Sequence, residues 1–280
     1  MSDAAVRRLL VVRRGGLGDT LLMLPVLRAL RRAHPQAELH FAGVSEFAAV
    51  LAAYGACDAA RSSEDFALWS PAVARERLSA YDLVVADDPA VPAAHAMVAT
   101  FDPRRHDGAP HGRAIARQLG LELRWPEDAW LLHERSAPSD AATWLAPGSG
   151  GATKCWPRER WLALAGVLPR PPQVVVGPTE LERDDPRRWP WPAGTGFVVE
   201  HDPTRLAARL ASEPSAFVGN DSGPSHLAAM LAVPTVALFG PSDPRVFAPQ
   251  GPRVQVVEAG GPLAGLRPAA VVAALRCATD

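Results

Sequence analysis

The chain has 280 residues, of which 48% are apolar and 21% charged, with a formal net charge of −1. That balance suits one large or two ordinary globular domains, and it supplies no global field for nucleic acid. Cys57, Cys155 and Cys277 are scattered without CxxC spacing, which argues against a zinc site and a disulfide framework and leaves free thiols of a reducing compartment as the expectation.

The apolar run at 9–12 is too short for a secretory signal core. The stretch 227–233 stops at Pro234, well short of a membrane span. A cytoplasmic protein is expected, with peripheral contact at the inner membrane surface left open. Lys154 is the sole lysine among 29 basic residues.

Residues 8–13 read as a buried strand, followed by a glycine loop at 15–19. Residues 20–33 carry apolar positions at helical spacing. A strand at 38–42, a helix at 47–54 and a strand at 81–86 come next. Residues 88–115 are rich in Pro, His and Arg with weak periodicity. A helix at 112–119 closes the first half, and 126–142 is the linker candidate.

The pattern then restarts. A strand at 143–146 enters the turn Pro147-Gly148-Ser149-Gly150-Gly151. After it come a helix at 158–168, strands at 173–176 and 197–200, a helix at 203–211 and a strand at 216–218. The last strand feeds Asn220-Asp221-Ser222-Gly223-Pro224-Ser225 and an apolar helix. A strand at 235–239 and a helix at 269–277 finish the chain. Alternation of strand and helix predicts two α/β halves with parallel sheets, divided as 1–135 and 136–280. Ligands of such sheets bind at the carboxyl ends of strands, so a cleft lined by both glycine loops is expected.

Five constellations carry chemistry. The turn at 219–225 is a strand, small residues and a helix start, where unpaired N–H groups and the dipole favour a diphosphate. The plainer alternative is that Asp221 or Ser222 only caps the helix. Gly15-Gly16-Leu17-Gly18-Asp19 fails the dinucleotide pattern, because Leu21 stands where the third glycine belongs. Asp19 there serves either as a base for an acceptor hydroxyl or as a first-turn acid.

The segment 147–154 lacks the P-loop spacing, yet a glycine turn bearing one lysine suits a phosphate clamp; a solvated Lys154 is the alternative. Glu180, with Glu182 nearby, follows a strand where an acid can hold ribose hydroxyls, or is a solvated loop acid. His226 donates to a phosphate or is a packed histidine. Asp87-Asp88 follows a strand but makes a poor metal pair, and the sequence has no HExxH, no strand-end DxD and no GxSxG.

Together VVRRGGLGDTLLMLPVLRALRRAHPQAEL, PGSGGATKCWPRERWLALA and NDSGPSHLAAMLAVPTVALFGPSDP resemble glycosyltransferase family 9, the ADP-heptose lipopolysaccharide heptosyltransferases. His111 to Leu121 also resembles the end of that family's first domain. The resemblance implies a GT-B fold of two Rossmann-like domains facing each other across a cleft. The first would bind the acceptor and the second the nucleotide sugar.

It further implies inverting, metal-independent transfer of a sugar, heptose, from an ADP-linked donor to a glycan or lipopolysaccharide-type acceptor, with no separate cofactor and no nucleic-acid partner. Asp19 falls on the family's catalytic base, with Gly16 and Gly18 on the acceptor side. Ser149, Gly150, Lys154, Glu180, Asp221, Ser222, Gly223, Ser225 and His226 fall on the donor side. A non-catalytic nucleotide-sugar-binding protein, or an epimerase on the same fold, is the alternative. Arg28, Arg31 and Arg32 read as a solvated helix face or as charges facing a membrane or acceptor.

Overall fold

The computed structural model describes residues 6–87, 97–132, 134, 135, 138 and 140–279. It divides into two compact units, Met1–Ala129 and Trp130–Asp280. The sequence placed the division after 135; Leu131 and Leu132 instead donate their backbone N–H groups to Met230 of the second unit. Asp88 of the acidic pair, and residues 133, 136, 137 and 139 of the expected linker, lie outside the described residues.

In the first unit, β1 (Arg8–Val12) is a short apolar run with four of its five residues buried, as a strand covered on both faces requires. It lies between β2 (Glu38–Gly43) and β4 (Leu83–Ala86), with β3 (Ala59–Ser62) and β5 (Met97–Thr100) at the edges. All pairings are parallel, in the order β3-β2-β1-β4-β5. The helices are α1 (Leu17–Leu21), α2 (Leu24–Ala33), α3 (Ser45–Ala53), α4 (Pro71–Leu78) and α5 (His111–Gln118).

The expected single helix at 20–33 is therefore two. Pro25 has no N–H to donate back to Leu21, so the ladder breaks and α2 restarts with proline in its first turn. Gly18 and Asp19, expected in a loop, lie inside α1. Arg28, Arg31 and Arg32 do not form a free basic face. Arg28 donates to the Glu127 carbonyl, Arg31 to the Ala37 carbonyl and Asp58, and Arg32 to both oxygens of Asp128 at 2.7 and 2.6 Å.

In the second unit the strands are β6 (Thr143–Ala146), β7 (Gln173–Val176), β8 (Gly196–Val199), β9 (Ala216–Asn220), β10 (Thr235–Phe239) and β11 (Val254–Glu258). Their order is β11-β10-β9-β6-β7-β8, again all parallel. The helices are α6 (Arg158–Ala165), α7 (Pro178–Arg183), α8 (Pro203–Leu210), α9 (Gly223–Met230), α10 (Pro244–Phe247) and α11 (Pro268–Thr279). One face of this sheet packs Leu145, Val218, Val236 and Leu238 against Trp156, Trp161 and Val271. The Trp156 and Trp161 rings meet edge-on at 5.1 Å, an arrangement aromatic quadrupoles favour.

Each unit is thus the parallel α/β sheet that the alternation predicts, of the Rossmann-like kind that the family resemblance implies. In each, strand order reverses at one place: between β1 and β4, and between β6 and β9. Doubly wound sheets bind ligands outside the carboxyl ends of strands at such a switch point.

Candidate functional site

At the switch point of the first unit, β1 is followed directly by Arg13 and β4 by Asp87. The Arg13 guanidinium forks between two carboxylates, with Nη2 2.7 Å from Asp19 Oδ1 and Nη1 2.7 Å from Asp87 Oδ2. The Arg13 and Asp87 side chains are each 10% exposed, while Asp19 is 43% exposed. The other Asp19 oxygen, Oδ2, accepts the N–H of Gly16 at 3.1 Å. Asp19 is therefore a first-turn acid, as the alternative reading had it, and also a carboxylate held on both oxygens at a strand-end site.

Gly15 makes that placement possible. Its φ is +154°, and a Cβ there would lie 2.7 Å from Asp19 Cβ. Gly16 caps α1 and Gly18 lies within it. Leu21, standing where a dinucleotide fold needs glycine, is fully buried.

At the switch point of the second unit the loops after β6 and β9 are joined by side chains. Lys154 Nζ lies 2.6 Å from Asp221 Oδ2, so the lysine is not merely solvated. Ser149 donates its hydroxyl to the Asp221 carbonyl at 2.7 Å. Neither Asp221 nor Ser222 caps α9 through its side chain; the first carboxylate is spent on Lys154. Ser222, half-buried, sits 3.3 Å from the Ser225 hydroxyl, which donates to the Asn220 carbonyl at 2.6 Å. Ser225 and His226 are buried, at 0% and 3% exposure. Gly223 opens α9, and Gly150 is exposed on the β6 loop.

Glu180 lies in the first turn of α7, where Oε2 accepts the Gly177 N–H at 2.8 Å. Its side chain runs across Gly148, so closely that a Cβ there would sit 1.5 Å from Oε1. Glu180, Trp156, Pro157 and Trp189 help line a cavity of about 300 Å³ beside the β6 and β7 loops. Glu182 is exposed on the same helix.

Two residues that organise this unit were not singled out from the sequence. Asn220, fully buried, donates to the carbonyls of Pro147 at 2.6 Å and Gly148 at 3.3 Å and accepts the Trp156 N–H at 3.1 Å. A polar residue closing an apolar strand was its signal, since buried amides are kept where they are bonded. Arg183 donates to the carbonyls of Ser149 and Gly150; in the sequence it is one charge in a charged run. In the first unit Arg13 and Asp87 were likewise passed over as organisers of Asp19.

The sequence model of glycosyltransferase family 9 (heptosyltransferase) matches residues 94–263, more than half of the chain. The chain belongs to glycosyltransferase family 9. The matched span contains Lys154, Glu180 and the turn at 221–223, and Asp19 lies before it. The family's fold is also found in solved structures similar to this chain.

A family 9 glycosyl transferase from Veillonella parvula is 19% identical with a TM-score of 0.77, covering 98% of this chain and 97% of its own. Escherichia coli heptosyltransferase WaaC with ADP is 22% identical with a TM-score of 0.70 over 97% and 99%. The E. coli ADP-heptose lps heptosyltransferase II is 19% identical with a TM-score of 0.72 over 97% and 98%. Among curated proteins none matches the sequence. No described helix of this family 9 chain is long and apolar enough to cross a membrane, and no cluster of three metal-ligating side chains occurs among the described residues.

Proposed function

We propose that this family 9 enzyme moves heptose from an ADP-linked donor to a hydroxyl of a glycan or lipopolysaccharide-type acceptor, with inversion and without a metal. The observation that carries the reading is the cluster at the β6–β9 switch point. Lys154, the half-buried Ser222 and the start of α9 present a cation, a hydroxyl and the positive end of a helix dipole beyond the carboxyl ends of β6 and β9. Those are the groups a leaving diphosphate needs, and they supply the charge that a metal supplies elsewhere. WaaC, a solved structure of similar fold, was determined with ADP.

In this reading the second unit holds the donor. The nucleoside enters the cavity between Trp156 and Trp189, with Glu180 at its ribose. A carboxylate repels phosphate, so Asp221 does not cradle the diphosphate. It orients Lys154, which binds the phosphates as charge develops on the leaving ADP. Removing one such preorganised donor costs roughly 10²–10³ in kcat. Ser149 and Ser225, whose hydroxyls are bonded to backbone, shape the turns. Gly150 and Gly223 let the donor approach the backbone, and His226 packs behind the turn.

The first unit supplies Asp19 as base. Its exposed carboxylate takes the acceptor proton while the oxygen attacks the anomeric carbon opposite the leaving group. Gly16 and Gly18 keep that approach open. The donor is the only small molecule required, nucleic acid takes no part, and the work is done in the cytoplasm, at the inner membrane surface where the acceptor is lipid-linked.

The test is ADP release from ADP-heptose with heptose-free lipopolysaccharide as acceptor, for the wild type and Asp19→Ala. The reading expects stereochemical inversion and loss of turnover in the variant. Donor binding without turnover in the wild type would instead make this a binding protein, and undiminished turnover in Asp19→Ala would remove the base.

A further inference from the structure

The first unit holds more charge machinery than a base alone requires. Arg13 and Asp87 are the first residues beyond two adjacent central strands, and their backbones are fixed there. The Arg13 N–H donates to the Ala42 carbonyl at 3.0 Å and the Asp87 N–H to the Val12 carbonyl at 3.3 Å. Between them the guanidinium is committed through both terminal nitrogens, one to each carboxylate. Exposure rises along the line, from 10% at Asp87 and at Arg13 to 43% at Asp19.

We propose that Asp87 and Arg13 are positioning residues: Asp87 anchors Arg13, and Arg13 holds the Asp19 carboxylate in the orientation that meets the acceptor hydroxyl. The inference rests on the reading of Asp19 as the base. A carboxylate has about four acceptor sites on two oxygens. Here each oxygen receives one donor, Arg13 Nη2 on Oδ1 and the Gly16 N–H on Oδ2. Each keeps a site for an incoming hydroxyl, while the pair of donors fixes the carboxylate plane. An acid held only by its own rotamers would lose that alignment.

Stability gives no reason for the arrangement. A buried ion pair is often no more stabilising than an apolar pair of the same shape. Here Arg13 Nε and Asp87 Oδ1 are also buried without a hydrogen-bond partner among the described residues, a cost folded proteins rarely tolerate without another use. The fork geometry explains the choice of arginine. Lysine is a point charge and does not hold two carboxylates in fixed directions as a planar guanidinium does.

The test compares Arg13→Ala, Arg13→Lys, Asp87→Asn and Asp19→Ala for thermal unfolding, kcat and donor KM in ADP release from ADP-heptose, with heptose-free lipopolysaccharide and with water as acceptor. Misplacing a reacting group by an ångström costs about 10²-fold, so Arg13→Ala should lose kcat on that order with donor KM unchanged. Arg13→Lys should fall between, Asp87→Asn should lose less, and added guanidinium ion should restore part of the Arg13→Ala rate, which a folding defect would not show.

A crystal structure of Arg13→Lys should show Asp19 turned away from Gly16 with β1 and α1 unmoved. Wild-type kcat in folded Arg13→Lys and Asp87→Asn, with Asp19→Ala inactive, overturns the positioning role and leaves the base. Full turnover in Asp19→Ala overturns the base itself. Should the wild type release no ADP, the proposed function fails, and the Asp19 orientation in Arg13→Lys still decides whether Arg13 holds it.

Discussion

Asn220→Ala is the substitution whose cost follows most directly from the structure. Asn220 is fully buried at the end of β9 and ties the β6 loop to that strand. Alanine would strand two buried backbone groups, the Trp156 N–H and the Pro147 carbonyl; the Gly148 contact at 3.3 Å is the weaker third. A buried group left unpaired costs about 1–3 kcal/mol, so the loss is about 2–6 kcal/mol. For a unit of this size each kcal/mol shifts the midpoint by about 2–4 °C, giving roughly 4–24 °C.

Asn220→Asp should be no better. It keeps the acceptor for Trp156 but places a second oxygen opposite the Pro147 carbonyl, where the amide nitrogen now lies 2.6 Å away. The assay is thermal unfolding followed by tryptophan fluorescence, which reports on Trp156 and Trp161 in this core, paired with ADP titration. A midpoint within about 1 °C of the wild type, with ADP affinity intact, would refute the claim that Asn220 builds the donor loops.

Two further outcomes are expected. Asp82 accepts the N–H groups of Arg7 and Arg8 at 2.8 and 2.9 Å, and those bonds hold its carboxyl below the ordinary 3.8. Its folded value lies below its unfolded one, so its contribution to stability is full above pH 3.8 and is lost as pH falls through the folded value; Asp82→Asn should flatten that acid limb in urea unfolding, and an unchanged pH dependence would contradict the assignment. Burial, with Asp58 adding to it, pushes the Cys57 thiol up to about 12, whereas Cys277 is exposed. A thiol reagent at neutral pH should therefore modify Cys277 first and Cys57 only on unfolding, and rapid native labelling of Cys57 would contradict its placement.

How much of this was legible in the sequence depended on burial. The central strands, β1, β2, β4, β6, β7, β9 and β10, announce themselves because a strand covered on both faces is a short unbroken apolar run. The strands that went unread, β3, β5 and β11, all lie at sheet edges. Ala59–Ser62 has no fully buried residue, so nothing in its composition demanded a strand. Short α4, α7 and α10, each opened by proline, were missed for a related reason: four to eight residues give periodicity little room.

The site residues divide the same way. Asp19, Lys154, Glu180 and Asp221 were read because each is an ionisable group beside a glycine turn at a strand end. Asn220, Arg183, Arg13 and Asp87 were not, because their importance lies in partners up to 74 residues away. Local spacing carries no record of such pairings, and the pairing of Lys154 with Asp221 across 67 residues was equally invisible.

The donor site is the centre of the account, and calorimetric titration with ADP, UDP, GDP and NAD in the absence of metal tests it most directly. ADP should bind in preference to the others. Lys154→Ala removes the cation and leaves the nearly buried Asp221 carboxylate facing the phosphates, two effects of the same sign. A charged hydrogen bond is worth about 1.5–3 kcal/mol, so affinity should fall by about tenfold or more. Tighter binding of UDP or GDP, no binding of any nucleotide, or a Lys154→Ala variant that binds ADP as the wild type does would contradict it.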